Sequence, residues 1–149
     1  MWVGVNSSLQ DICRQLVQNH DAPIAAGVID LDTATVLAAF HEVAYFTEAY
    51  VETLMEASAN MFRGPVIEEI DELISAQKNR PFARHMQEVY FRTPHTHHFL
   101  CLIPETPAAL ILVSSIHAPR DTAWQLAQAT LAKLRPHCPC ASIAEETNL

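Results

Sequence analysis

The chain has 149 residues, half of them apolar, with 9 basic residues against 17 acidic ones and only three glycines. This length suits one domain, and the apolar fraction excludes disorder over most of it, because such a chain can bury a core of its own. The net charge of -8 disfavours nucleic acid and anionic membranes as partners, since both carry the same sign of charge.

The positions of the glycines, the lengths of the apolar runs and the cysteines limit the class of protein further. Gly4, Gly27 and Gly64 are far apart, whereas phosphate-binding loops need clustered glycines, so a P-loop and a dinucleotide fingerprint are both excluded. The first five residues are too short for a signal peptide, and no apolar run approaches the ~18 residues that a membrane span requires. We therefore expect a cytoplasmic protein, in which the four cysteines stay reduced.

The first part of the chain predicts a helix and a hairpin. Apolar residues recur at helical spacing from about residue 8 to 19, after Ser7 and Ser8, which are suitable N-cap residues. Two apolar runs, 24–30 and 35–40, flank a turn and predict two strands. Because their apolar residues are consecutive and not alternate, we expect the sheet to be covered on both faces.

Two amphipathic helices are predicted next, over 47–62 and 66–77, separated by a glycine and a proline that end one helix and begin the other. The apolar arc of the first spans about 160°, whereas ~100° suffices to pack a helix on one sheet. The second carries acidic residues on its predicted outer face: Glu68, Glu69, Asp71 and Glu72.

Three strands and a last helix complete the prediction. The strands, over about 86–92, 98–103 and 108–115, are separated by proline-containing turns and are expected to form a meander. Asp121 is the expected N-cap of a helix that ends at Pro136. The first and last helices should cover one face of the sheet, and the helix over 47–62 the other.

The predicted fold is an α/β protein of the α+β type, with a five-stranded antiparallel sheet and helices on both faces in the order α-β-β-α-(α)-β-β-β-α. We expect a single domain over residues 1–136, with 66–77 as an extra helix and 137–149 as a flexible tail.

This order of elements resembles the Roadblock/LC7 family, whose members have a profilin-like α/β sandwich. The resemblance covers about residues 7–135 and is carried by these segments: Leu9 to Val17, Ala25 to Ile29 ending in Asp30, Glu48 to Phe62, Glu88 to Phe91, and Ala108 to Ser115 followed by Ala123 to Leu134. It departs where Thr33 follows Asp32, since the family commonly has Asp-Gly there, and at the extra helix 66–77. The resemblance implies a dimeric platform, without a cofactor, for small Ras-like GTPases or for motor and membrane complexes.

The wide apolar arc of the helix over 47–62 predicts an interface, because excess apolar surface on a soluble domain usually marks one. We expect a homodimer formed through six residues of this helix: Tyr50, Val51, Leu54, Met55, Ser58 and Phe62.

Two groups of side chains suggest metal ligands, but their spacing does not suit a site. His95, His97 and His98 surround a predicted turn, where the last two should point to opposite faces of a strand and titrate near pH 6.5 in solvent. His137, Cys138 and Cys140 offer three donors, whereas structural zinc motifs space their cysteines by two to four residues and need a second pair. No metal is therefore expected.

No catalytic signature is present: G-x-S-x-G, H-E-x-x-H and C-x-x-C are all absent from the sequence. The chain is therefore interpreted as a non-enzyme that interacts with itself and with a small GTPase or a related signalling or motility complex. The alternative is a small-molecule sensor of PAS or GAF type, which shares helices on an antiparallel sheet and would contain a cavity of ~300 Å³ or more.

Overall fold

The computed structural model describes residues 6–139. Its helices and strands, in chain order, are α1 (Ser7–Gln18), β1 (Pro23–Asp30), β2 (Thr35–His41), α2 (Glu48–Arg63), α3 (Pro65–Gln77), β3 (Glu88–Arg92), β4 (Thr96–Leu102), β5 (Ala108–Ser115) and α4 (Arg120–Leu134). A short 3-10 turn, Arg135–His137, follows α4. The predicted order of elements is confirmed.

The five strands form one antiparallel sheet in the order β2-β1-β5-β4-β3. Strands β3, β4 and β5 form the predicted meander. Strand β5 also pairs with β1, so the last strand of the chain lies beside the first. Strand β5 therefore occupies the centre of the sheet, with the two β-hairpins on either side.

Two separate cores lie on the two faces of this sheet. Helices α1 and α4 cover one face and α2 covers the other, as predicted. Consecutive residues of β5 serve the two cores in turn: Leu112 packs under α1 and α4, and Val113 packs under α2. This double cover explains why the central strands are apolar at consecutive positions.

Helix α2 lies close to the sheet at Gly27 of β1. A Cβ atom at this position would lie 2.7 Å from Cε and 2.8 Å from Sδ of Met55. The absent side chain of Gly27 thus leaves room for the Met55 thioether on the sheet surface, and a larger residue there would have to displace the end of the Met55 side chain.

The helix N-termini correct two predicted caps. Helix α1 is capped by Asn6, whose Oδ1 accepts hydrogen bonds from the main-chain N–H groups of Ser8 and Leu9 at 3.0 and 3.1 Å. Helix α4 begins at Arg120 without a side-chain cap, and Asp121 already lies in its first turn. A cap must precede the first turn to reach its free N–H groups, which Asp121 cannot do.

Two further expectations are corrected by burial. Asp71, predicted on the outer face of α3, is only 2% exposed. At the predicted start of the tail, the main-chain oxygen of His137 accepts a hydrogen bond from Asn6 Nδ2 at 3.1 Å, and Cys138 is buried. The domain therefore extends at least to Cys138, and residues 140–149 lie outside the described part of the chain.

Aspartate substitutions test the double cover of β5. Leu112→Asp and Val113→Asp should each lower the free energy of unfolding by about 4 kcal/mol or more, because each buries a carboxylate without a partner. Val66→Asp, at a residue that is 69% exposed, is the matched control and should change it by less than about 0.5 kcal/mol. Chemical denaturation measures all three. Wild-type stability of either β5 variant would mean that one face of the sheet is open to solvent.

Candidate functional site

The six residues predicted as a dimer interface on α2 do not share one surface. Val51, Met55, Ser58 and Phe62 are at most 8% exposed, and the three apolar ones belong to the core between α2 and the sheet. Their own domain covers these four residues, and contact between any of them and a second copy stays a prediction. Tyr50 is 47% exposed and Leu54 is half-buried.

The wide apolar arc of α2 has a structural origin. Helix α2 packs on strands β1, β2 and β5 and also contacts α3, so more than one side of the helix is covered. A helix with two kinds of neighbour needs a wider apolar face than one that packs only on a sheet.

The two edges of the sheet differ in how their main-chain groups are satisfied. At the β2 edge, the Gln10 side chain donates from Nε2 to the oxygen of Ala39 at 2.7 Å and accepts at Oε1 from the N–H of Ala39 at 3.0 Å. The N–H of Asn6 donates to the oxygen of Leu37 at 2.9 Å. The start of α1 therefore blocks this edge, and no added strand could pair there without displacing Gln10.

The β3 edge is open. Strand β3 ends the sheet, and no strand in residues 6–139 lies beyond it. In an antiparallel ladder, alternate residues direct their main-chain groups toward the neighbouring strand. Since Thr93 and Gln87 bond to the β4 side, the groups of Glu88, Tyr90 and Arg92 face away from β4. This edge can accept another strand.

The histidines near the β3–β4 turn are separated by the sheet. His97 faces the α1 and α4 layer, where its Nδ1 lies 2.7 Å from the Tyr90 hydroxyl. His98 faces the other way and stacks on Phe91, with ring centroids 4.4 Å apart and planes inclined by 8°. Both rings are buried and only His95 is exposed, so the expectation of a solvated cluster is wrong for His97 and His98.

Burial changes the acid-base behaviour of His98. Its Nε2 lies 2.8 Å from Thr96 Oγ1, but its buried Nδ1 has no hydrogen-bond partner among the described residues. Burial, with a smaller contribution from His97, lowers the pKa of His98 to about 4. The ring is therefore neutral at pH 7, contrary to the expected titration near pH 6.5.

The metal donors considered in the sequence are not brought together. Among residues 6–139, no three His, Cys, Asp or Glu side chains lie close enough to hold a metal ion. His137 is exposed, Cys138 is buried in the core beside α1, and Cys140 lies outside the described residues. Burial also raises the pKa of Cys138 to about 11, which keeps its thiol protonated and a poor metal ligand.

One group of polar residues was missed by sequence reasoning. Ser75 Oγ lies 3.2 Å from His85 Nε2, and Asp71 lies one turn before Ser75 on α3. Asp71 Oδ1 accepts a hydrogen bond from the main-chain N–H of His85 at 3.0 Å, not from its ring. Ser75 is only 3% exposed and accepts from the N–H of Ala83. These contacts attach the segment 79–87 to α3 and do not form a nucleophile with an oriented base.

The interior leaves little space for a small-molecule ligand. The cavity between α2 and the sheet, lined by Gly27, Met55 and their neighbours, has a volume of about 20 Å³. A larger groove of about 500 Å³, lined by Tyr90, Arg92, His97 and Arg120, lies at the surface beside the start of α4. A buried sensor pocket requires roughly 300 Å³ or more, so the interior does not favour the sensor alternative. No helix of residues 6–139 is long and apolar enough to span a membrane.

Known structures share this fold at low sequence identity. The Roadblock/LC7 domain from Streptomyces avermitilis matches with a TM-score of 0.61, 11% identity, and coverage of 87% of this chain and 96% of that one. The gliding protein MglB from Thermus thermophilus matches with a TM-score of 0.60, 18% identity, and coverage of 90% of this chain and 93% of that one. Schizosaccharomyces pombe profilin matches with a TM-score of 0.57, 14% identity, and coverage of 87% of this chain and 98% of that one. No family model and no curated protein matches. The predicted Roadblock/LC7-like, profilin-like fold is confirmed.

The buried His98 predicts a pH-dependent stability. Its pKa is about 4 in the folded chain and ~6.5 when unfolded, so the unfolded state binds an extra proton between these values. The free energy of unfolding should therefore fall as the pH drops from about 6.5 to 4. His98→Phe should reduce this slope because Phe keeps the stacking on Phe91 without the titrating group, whereas the exposed His95→Ala should retain it.

Urea denaturation at several pH values measures the slope for each variant. An unchanged slope in His98→Phe would assign the acid sensitivity to other groups.

Proposed function

We propose that this chain is a non-catalytic, homodimeric platform that recruits or regulates a small Ras-like GTPase in the cytoplasm. The observation that carries the dimer is the open β3 edge, at the opposite end of a sheet whose β2 edge is closed by Gln10. An open edge strand is a ready template for pairing with another chain.

The sequence of β3 is complementary to itself. The strand reads Glu-Val-Tyr-Phe-Arg from Glu88 to Arg92. If two copies pair antiparallel with Tyr90 opposite Tyr90, Glu88 of each copy lies opposite Arg92 of the other. Opposite charges at paired positions stabilise adjacent strands by roughly 0.2–1 kcal/mol a pair. This register therefore places two favourable pairs at the two ends of the interface.

The same register suits the other face of the strand. Val89 and Phe91 are half-buried and pack against the α2-side core. In the symmetric pairing, Val89 of one copy lies opposite Phe91 of the other, which joins the two α2-side cores across the interface. A two-fold arrangement of this kind closes at two copies and produces no open filament.

Charge reversal tests the dimer and its register together. Glu88→Arg places two arginines opposite each other at each end of the interface and should weaken dimerisation about tenfold or more, given ~1.4 kcal/mol per decade. Arg92→Glu should do the same, and the double exchange Glu88→Arg/Arg92→Glu should restore the dimer. Sedimentation velocity gives the oligomeric state, and circular dichroism confirms that each variant is folded.

Two results would contradict this arrangement. A wild-type monomer at micromolar concentrations would exclude the homodimer. A dimer that neither single reversal weakens would place its interface elsewhere, for example at the exposed Tyr50 and half-buried Leu54 of α2, which stay candidate interface residues.

The GTPase partner is proposed on two grounds. This chain shares its fold with the gliding protein MglB, and the sequence of this chain resembles the Roadblock/LC7 family. The described residues support a role without catalysis: Ser75 and His85 hold a loop, and the buried thiols of Cys13 and Cys101 have pKa values raised to about 12 by burial. An interaction protein needs no activated nucleophile.

Binding to purified small Ras-like GTPases tests this part. Each GTPase of the source genome, loaded with GDP or with a non-hydrolysable GTP analogue, is titrated against the chain by calorimetry, and its GTP hydrolysis rate is measured with and without the chain. We expect one GTPase to bind the chain at least tenfold more tightly in one nucleotide state than in the other. Alternatively, the chain should change the GTP hydrolysis rate of one GTPase by tenfold or more. If none does so, the partner is of another class, and the dimer result is unaffected.

A further inference from the structure

Helix α3 carries an apolar stripe on its solvent-facing side. Val66, Ile70 and Leu73 are 69%, 48% and 58% exposed. They are spaced by four and three residues, which places them in one row along the helix. We call this row the α3 stripe. Such a contiguous row of large exposed apolar side chains is a typical feature of an interaction surface.

The orientation of α3 is set by polar contacts on its opposite side. Asp71 and Ser75 are 2% and 3% exposed and accept hydrogen bonds from the main-chain N–H groups of His85 and Ala83. Turning the helix to bury the stripe would break these bonds and leave buried polar groups without partners, which costs about 1–3 kcal/mol each. These hydrogen bonds therefore hold the opposite side of α3 inward and leave the stripe facing outward.

Acidic residues border the stripe on one side. Glu69 lies about 60° around the helix from Val66 and Glu72 lies about 120° from it on the same side, by 100° per residue; both are exposed. The neighbouring Glu68 lies 3.4 Å from Arg84 and is thereby neutralised in part. The uncompensated charge of the border is therefore that of Glu69 and Glu72.

The carboxylates of Glu69 and Glu72 limit which molecules can bind the α3 stripe. Two α3 helices packed antiparallel would bring the Glu69 and Glu72 sides of both copies together, and like charges at such positions destabilise the pair. An anionic membrane surface would be repelled by the same carboxylates. A partner helix with basic residues beside its apolar row would instead gain both apolar burial and charge pairing.

We propose that the α3 stripe binds an amphipathic helix of a partner protein, which inserts apolar side chains between Val66 and Leu73 and places Lys or Arg beside Glu69 and Glu72. This surface is distinct from the β3 edge and goes beyond the proposed dimer and GTPase functions. It belongs to α3, the helix at which the sequence departs from the Roadblock/LC7 pattern.

The probe is a synthetic peptide of about five helical turns, with leucines at the stripe spacing and lysines on the remaining faces, and a twin with glutamate in place of lysine. Fluorescence anisotropy against the full chain should give a dissociation constant of about 1–100 µM for the basic peptide and binding at least tenfold weaker for the acidic twin. Ile70→Gln/Leu73→Gln and Glu69→Lys/Glu72→Lys should each weaken the basic peptide tenfold or more.

A charge-matched control separates this site from general attraction to an acidic chain. Asp11→Lys/Asp121→Lys makes the same change in net charge on α1 and α4, which cover the opposite face of the sheet. It should alter the affinity of the basic peptide by less than about twofold, and circular dichroism should be unchanged for every variant.

Four results would overturn the proposal. Equal weakening by the Asp11/Asp121 control would show attraction to net charge only, and no binding of the basic peptide up to about 1 mM would exclude the site. Loss of the dimer in Ile70→Gln/Leu73→Gln, seen by sedimentation, would assign the stripe to a second copy. Loss of binding to neutral phosphatidylcholine vesicles in that variant would assign it to a membrane. The β3 charge-exchange variants report on the dimer separately.

Discussion

The double cover of the sheet is the constraint on which the rest of the structure depends. Because α1 and α4 pack on one face and α2 on the other, successive β5 residues such as Leu112 and Val113 are both buried. The faces of the central strands are then occupied, and the sheet can meet another molecule through its edges. The hydrogen bonds between Gln10 and Ala39 close one edge, so the chemistry of the β3 edge decides how the sheet could be extended. A Cβ atom at Gly27 would lie 2.7 Å from Met55 Cε, so the Met55 side chain of α2 rests directly on the sheet at this glycine.

The two surfaces proposed for interaction arise from different physical causes. The β3 edge offers directional main-chain hydrogen bonds with the charge order of Glu88 and Arg92, which favours an identical strand. The α3 stripe offers apolar side chains beside carboxylates, which favours a partner of opposite charge. A protein with these two surfaces can form a symmetric dimer through the self-complementary one, and its acidic surface then stays accessible to a second protein.

Much of the fold can be predicted because local periodicity reports how each segment is buried. The helical spacing of the residues before and after Gly64, and the consecutive apolar residues of the strands, indicate elements within about two residues of those observed. The candidate interface is harder to predict. An apolar arc shows that a helix is covered, but it does not identify the element that covers it. The pattern therefore predicts that Val51 and Met55 contact a second copy, although the sheet of their own domain buries them. His98 lies opposite Phe91 and His97 contacts the Tyr90 hydroxyl on the same neighbouring strand, and these contacts become visible only once the strand register is known.

The sequence by itself determined the class of the fold, the order of its elements, the double cover of the sheet and the absence of clustered phosphate-binding glycines, because each follows from residue spacing within a short segment. The tertiary structure alone decided which sheet edge is open, which way α3 faces and which histidine loses its charge. These properties depend on contacts between residues of different segments: Gln10 with Ala39, Asp71 with His85, and Phe91 with His98. Hydrogen bonds and burial between distant segments leave no periodic pattern in the sequence, so they become visible only when the chain is folded.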